Sequence, residues 1–200
     1  MDKKSYSQGK NPIGRVGYII GMLMNLLQTN GYLKIINQNK NCVGSYLLDI
    51  GCGGGAFINK LVKYKQVKKA YGIDHSEKMI ELSNKKNKQF IKNGMIEIEK
   101  SSVDNLPFNE DMFDTVTALE TIQFWTTMDK SIKEVRRVLK EKGHFIVVNR
   151  YPTESSRWYT KMQLKNTSEY KDILERCGFK VTKIDKEQMK GWIIVLCEKK

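Results

Sequence analysis

Four glycines stand where a backbone has to come close to something. Gly51, Gly53, Gly54 and Gly55 follow the apolar run SYLLDI (45–50) and precede an amphipathic segment that opens at Ala56. Glycine has no Cβ, so such a loop turns sharply and approaches a ligand closely. The helix that follows brings the partial positive charge of its N-terminus to the same place. A nucleotide-like ligand or a carboxylate suits both features. Asp74 is the second residue of interest. It ends the next strand, 23 residues after Gly51, where a carboxylate can accept from both hydroxyls of a ribose. A helix-capping or solvated Asp is the plainer alternative. Gly51, Gly53 and Ala56 also satisfy the G-x-G-x-x-G/A fingerprint of dinucleotide folds. On these residues alone, a nicotinamide-dependent oxidoreductase stays level with other nucleotide-type chemistries.

Other reactive residues are less telling. Tyr64 and Lys68 have the Tyr-x-x-x-Lys spacing of a hydride-transfer site, but they fall before the second strand, on the wrong side of the sheet. Cys42, Cys52, Cys177 and Cys197 form no C-x-x-C pair, and neither His is spaced to complete a zinc site, so no metal is expected. Free thiols in a reducing cytosol are the economical reading. His144 opens a strand and is expected at the far end from the ligand.

These residues need an alternating scaffold. SYLLDI reads as a doubly covered parallel strand. A helix is expected from Ala56 to about Tyr64, then a strand over Lys69–Ile73. Ser76 is a suitable N-cap for a helix from Glu77 to about Lys92, with Met79, Ile80 and Leu82 inward. Strands follow over Met95–Glu99 and Phe113–Leu119. A helix from Asp129 or Lys130 to Lys140 is ended by Gly143, and HFIVVN (144–149) is the fifth strand. Ser168–Cys177 is helical, with Gly178 as its cap. Phe179–Ile184 and Trp192–Glu198 close the chain as an antiparallel pair. The fold class is therefore α/β: a doubly wound, Rossmann-like seven-stranded sheet, mostly parallel with an antiparallel last strand and helices on both faces. Ligands of such sheets bind at the carboxyl ends of strands, at the switch point.

Two hundred residues fit a single domain, 1–200, with an N-terminal arm and helix (1–44) covering the site and a catalytic core over 45–200. The first helix is expected from Arg15 to Gln28, ended by Asn30-Gly31. Its stretch VGYIIGMLMNLL (16–27) resembles a signal-peptide core, but it is too short to span a bilayer and no A-x-A-like site follows. Lys and Arg number 35 against 22 Asp and Glu, a net charge of +13. Such an excess can mark a nucleic-acid partner. Here the basic residues are scattered, and nucleic acid is a possible but secondary partner.

Several segments, taken in order, resemble the small class I S-adenosylmethionine (AdoMet) methyltransferases of the type 11 group, which includes quinone- and sterol-type enzymes. LLDIGCGGG (47–55) resembles their first motif, with Asp49 two residues ahead of the glycines. YGIDHSEKMIELS (71–83) resembles the ribose-binding segment and its helix. SSVDNLPFNEDMFDTVTALETIQFW (101–125) resembles the adenine segment, fourth strand and following loop. KEVRRVLKEKGHFIVVN (133–149) resembles the helix and fifth strand, with Glu141-Lys142-Gly143 where the family more often has Pro-Gly-Gly. The likeness covers residues 45–150 well and 165–200 loosely.

The resemblance implies AdoMet as cofactor and assigns its contacts. Gly51 and Gly53 go to the methionine end, with Asp49 orienting its ammonium, Asp74 to the ribose, and His75, Ser102 and Val103 to the adenine; Cys52 and Met79 are also cofactor-binding. Leu119, Glu120 and Thr121 lie beside the methionine moiety. The family usually has Asp at the place of Ser102, so adenine recognition is expected to rest on backbone groups at Ser102 and Val103. It also often has His in the loop after strand four, where this chain reads ETIQFW (120–125). No catalytic base is assigned; Glu120 and Gln123 are the candidates. Phe124, Trp125, Tyr151 and Trp158 are candidates for an apolar wall around the acceptor, with Tyr18 coming over from the N-terminal helix. Core packing is the competing role for each aromatic. The chain has no Pro-Pro pair after strand four and no Cys after a Pro. Both absences disfavour base-methylating enzymes and favour a small-molecule acceptor in the cytoplasm.

Overall fold

The structure, a computed structural model, describes residues 28–64, 66–151, 159, 162–187 and 191–200. The expected helix from Arg15, and with it Tyr18 and Trp158, lies outside the described residues. Helix α1 is described over residues 28–38. It runs straight through Asn30-Gly31, which does not end it. Gly31 is buried, and Tyr32, Leu33, Ile35 and Ile36 form a buried stripe at helical spacing. That apolar face outweighs the roughly 1 kcal/mol that an interior glycine costs a helix.

The chain then alternates β1 (Tyr46–Ile50), α2 (Ala56–Lys63), β2 (Lys69–Asp74), α3 (Glu77–Lys92), β3 (Ile96–Lys100), β4 (Phe113–Leu119), α4 (Met128–Val138), β5 (Leu139–Arg150), α5 (Thr167–Arg176), β6 (Phe179–Glu187) and β7 (Trp192–Lys199). The seven strands form a sheet in the order β3-β2-β1-β4-β5-β7-β6. It is the doubly wound, mostly parallel sheet that the alternation predicts. Packing divides the chain into two compact units between Ser102 and Val103.

In the first unit β1 pairs parallel with β2, and β2 with β3. Leu47 and Leu48 are fully buried, as a strand covered on both faces requires. Phe57, Ile58, Leu61 and Val62 form the buried face of α2, and the Phe57 ring meets Tyr32 of α1 edge-on. Helix α3 has the expected bounds but a different inner face. Met79 and Ile80 are buried with Ser83 and Asn87, whereas Leu82 is half-buried. Hydrophobic periodicity has no means of marking that polar pair.

In the second unit β4 pairs parallel with β5, and β7 runs antiparallel to both β5 and β6. A loop over residues 101–112 connects β3 to β4. One expectation needs correcting. Gly143 does not end α4, because the helix stops at Val138 and β5 starts at once with Leu139. Leu139 is fully buried and pairs with Phe113, so sheet pairing overrides helix propensity there. Lys142 at φ 60° and Gly143 fall where the β4–β5 register shifts. Gly178 does cap α5, at φ 89°, its N–H donating to Glu175 O.

Candidate active site

The glycine loop is held by its own chain. Gly51, Gly53 and Gly55 all take positive φ, at 73°, 53° and 70°, a region that other residues enter at a cost. The amides of Gly51 and Cys52 both donate to Ile73 O, at 2.8 and 2.9 Å. Gly53 N donates to Asp74 Oδ2 at 3.0 Å, and Gly55 N to Cys52 O at 3.0 Å. Four of the five amides from Gly51 to Gly55 are thus committed within the chain. A diphosphate is gripped by loop and helix N-terminal amides, so this loop offers it little. A ligand without phosphates, laid against the glycine backbone, fits it better.

The loop also rests on α3. Asn87 Nδ2 donates to Gly55 O at 3.3 Å and to Ser83 O at 2.9 Å. A Cβ built on Gly55 would overlap Ser83 Oγ and Asn87 Nδ2. Asn87 is fully buried and is a supporting residue that sequence patterning does not reveal.

Asp74 ends β2 as a buried carboxylate. Besides the Gly53 bond, its Oδ1 accepts from Ser76 N at 2.9 Å, and the His75 ring nitrogen lies 3.7 Å away. Two of about four lone-pair sites are occupied, so acceptor capacity for a diol remains. Burial pushes its carboxyl above the ordinary carboxylate range, and the amides of Ser76 and Gly53 and the nearby His75 pull it back. Ser76 holds the N-cap position of α3, yet its side chain makes no cap bond. Its Oγ is buried and without a hydrogen-bond partner among the described residues. The amide of Met79, at the N3 position, donates to Ser76 O at 3.0 Å instead.

The other first-unit candidates surround this point. Asp49 is buried in β1, paired with Gly72. The Cys52 thiol is pushed well up by burial and then by the charges of Asp74 and Asp49, so it is an inert packing group rather than a nucleophile. Met79 is buried in the first turn of α3, whereas His75 and Ser102 are exposed.

In the second unit Leu119 to Trp125 lie at and just after the carboxyl end of β4, Val103 in the loop before β4 and Tyr151 after β5. Leu119 is buried, Thr121 and Val103 half-buried. Glu120 takes φ 54°, unusual for a residue with a side chain. Its carboxylate is buried: Oε1 accepts from Trp192 Nε1 at 2.5 Å, and Oε2 lies 3.5 Å from Arg150 Nε. Glu120 is therefore held at both carboxylate oxygens, by Trp192 and by Arg150. Trp192 and Arg150 escaped the sequence reading, because they belong to strands far along the chain. Gln123 Nε2 donates to Glu120 O at 2.7 Å, and its buried Oε1 has no hydrogen-bond partner among the described residues. Trp125 is core: it is buried and stacks on Phe145, with centroids 6.4 Å apart. Phe124 is half-buried. Tyr151, also half-buried, carries the Lys186 ammonium over its ring at 4.3 Å. His144 pairs with Thr115, and Leu119 with Val148, so His144 lies at the opposite end of β5 from Glu120. Among the described residues no cluster of three or more His, Cys, Asp or Glu could hold a metal ion. No described helix is long and apolar enough to cross a membrane.

This sheet, with its glycine turn after β1 and an acidic residue closing β2, is a Rossmann-like α/β architecture. Residues 48–147 match the methyltransferase domain family Methyltransf_11, and the chain belongs to that family. It is 29% identical over 109 residues to the uncharacterized methyltransferase YcgJ of Bacillus subtilis, covering 54% of this chain and 42% of YcgJ. To the demethylmenaquinone methyltransferase of Thermotoga maritima it is 28% identical over 116 residues, 58% of this chain and 48% of that protein. The chain thus spans less than half the length of either curated relative. A crystal structure of a SAM-dependent methyltransferase from Aquifex aeolicus shares the fold, with TM-score 0.69 and 20% identity over 88% of this chain and 91% of that one.

Proposed function

We propose that the protein is an AdoMet-dependent methyltransferase acting on a small-molecule acceptor. One observation carries the reading over the nicotinamide alternative. The glycine loop commits its amides inward, to Ile73 O, Cys52 O and Asp74, while Asp74 keeps room for a diol. That suits a ribose-bearing cofactor without phosphates. Membership of the methyltransferase family supports it.

In this reading Asp74 holds the ribose, and Asp49, Gly51, Cys52 and Gly53 hold the methionine end. His75, Ser102 and Val103 hold the adenine, Met79 also contacts the cofactor, and Leu119, Glu120 and Thr121 serve the methionine end. Bound there, the cofactor supplies a methyl group already activated on a sulfonium. The chain's own contribution is alignment and exclusion of water. A general base is needed only where the acceptor must lose a proton, and Glu120 is engaged with Trp192 and Arg150. The reading therefore favours an acceptor atom that is nucleophilic without help. We take residues 1–200 as a single methyltransferase domain with its catalytic core over 45–200. The free cysteines Cys42, Cys52, Cys177 and Cys197 suit a reducing cytosol.

A thermal-shift comparison tests the cofactor class. AdoMet or S-adenosylhomocysteine should raise Tm, and NADH should not. Protection by NADH alone would replace the proposal with the oxidoreductase reading.

A further inference from the structure

The loop from Val103 to Met112 is bound along its length by one helix. Glu134 and Arg137 of α4 pair with each other, Arg137 Nε donating to Glu134 Oε1 at 2.8 Å and Nη2 to Oε2 at 2.9 Å. Together they grip the loop backbone. Glu134 Oε2 accepts from Leu106 N at 3.0 Å. Arg137 Nη2 donates to Leu106 O at 3.0 Å and Nη1 to Phe108 O at 2.7 Å. At the start of α4, Thr127 Oγ1 donates to Asp104 Oδ2 at 3.5 Å. At its end the carbonyls of Arg137 and Val138 accept from Asp111 N and Met112 N. The Phe108 ring packs edge-on against Phe113.

A loop with so many fixed backbone groups is held for a purpose, since surface loops ordinarily leave theirs to water. We propose that Glu134 and Arg137 are positioning residues for the adenine end of the cofactor site. The inference rests on the AdoMet reading above. Its logic is chemical. With Ser102 in place of a carboxylate, the exocyclic amine of adenine is read by backbone groups at Ser102 and Val103. A backbone readout is only as selective as its placement, because misplacement by about 1 Å forfeits a hydrogen bond. The strand-to-strand connection has no helix of its own to hold it. The Glu134–Arg137 fork, which grips the segment starting three residues after Val103, supplies the missing support. Glu134 is held below the ordinary carboxylate range by its hydrogen bond to Arg137, so the fork stays charged at neutral pH.

Arg136, the next residue on α4, is a matched control. It also holds two backbone carbonyls, Gly178 O through Nε at 3.3 Å and Lys200 O through Nη2 at 2.7 Å. Calorimetry on the full chain and its Arg137→Ala, Glu134→Gln and Arg136→Ala variants would compare S-adenosylhomocysteine with S-inosylhomocysteine, which has an oxo group in place of the adenine amine. The unmodified protein should prefer the adenine form. Arg137→Ala should weaken S-adenosylhomocysteine binding by about tenfold or more and erase most of the preference, with inosine-form binding changed less. Glu134→Gln should move both in the same direction, by less, and it serves where Arg137→Ala does not fold. Arg136→Ala should lower Tm and leave the preference intact. Equal preference in the Arg137→Ala and unmodified proteins, or an equal loss in Arg136→Ala, would overturn the inference. So would an unmodified protein that binds both forms alike. Failure of the unmodified protein to bind S-adenosylhomocysteine at all would instead remove the AdoMet reading itself.

Discussion

Asp74 and Glu120 are both buried carboxylates at the ends of strands, yet their surroundings give them opposite roles. Asp74 accepts from two backbone amides and retains lone pairs for a ligand. Glu120 is tied to an indole N–H and a guanidinium that is itself 61% exposed. Replacing Asp74 by Ala should cost cofactor binding on the order of 1–3 kcal/mol, the worth of charge-assisted hydrogen bonds, read by calorimetry. The raised carboxyl of Asp74 adds a pH signature of two signs. The folded protein holds this proton to higher pH than the unfolded chain, so the apo protein loses stability from this group as pH rises from the ordinary carboxylate range through the raised value. Ribose hydroxyls donate to the ionised form, so cofactor affinity rises over the same window. Asp74→Asn should flatten both trends in melting curves and titrations taken across acidic pH. Glu120→Gln, which keeps an acceptor for Trp192, should lower kcat by less than about tenfold, whereas loss of a general base costs about 10²–10⁴-fold. A larger drop, with loss of a limb of the pH–rate profile, would restore Glu120 as the base.

At the scale of elements, the glycine loop, β2 and α3 work as one piece. Asn87 and Ser83 sit under Gly55, whose φ of 70° and lack of a Cβ let the loop close. Gly55→Ala should destabilise the protein by roughly 1–3 kcal/mol, the scale of a strained backbone position, and lower Tm accordingly. An unchanged Tm would mean that the α3 contacts yield freely. This piece also shows what the residues announce on their own. The strand ends, the glycine turn and Asp74 are legible in sequence, because hydrophobic runs, missing Cβ atoms and a strand-terminal acid are local signals. The polar underside of α3 is not, since Ser83 and Asn87 look like surface residues until Gly55 needs partners. Nor is the early end of α4, where pairing of Leu139 with Phe113 decides against a continued helix. The Glu120–Trp192 bond joins residues 72 positions apart, and no spacing rule reaches that far. The strand ends and the glycine turn of the candidate site are therefore legible in outline, and its long-range polar contacts much less so.

The molecule as a whole carries a net charge of +13, which bears on association rather than on fold. If the acceptor is a small molecule, that charge is mostly solvated surface. Binding to a mixed-sequence RNA should then be weak and vanish between 50 and 200 mM salt, roughly the range over which a few phosphate contacts lose orders of magnitude in affinity. RNA binding that survives such salt would make nucleic acid the acceptor to pursue. Cofactor binding is read by calorimetric titration of the full chain with S-adenosylhomocysteine, beside the Asp74→Ala variant. The unmodified protein should bind one-to-one, and the variant about tenfold or more weaker while its melting curve stays cooperative. A folded protein that shows no binding at high micromolar ligand, or a variant that binds as well as its parent, would contradict the AdoMet reading.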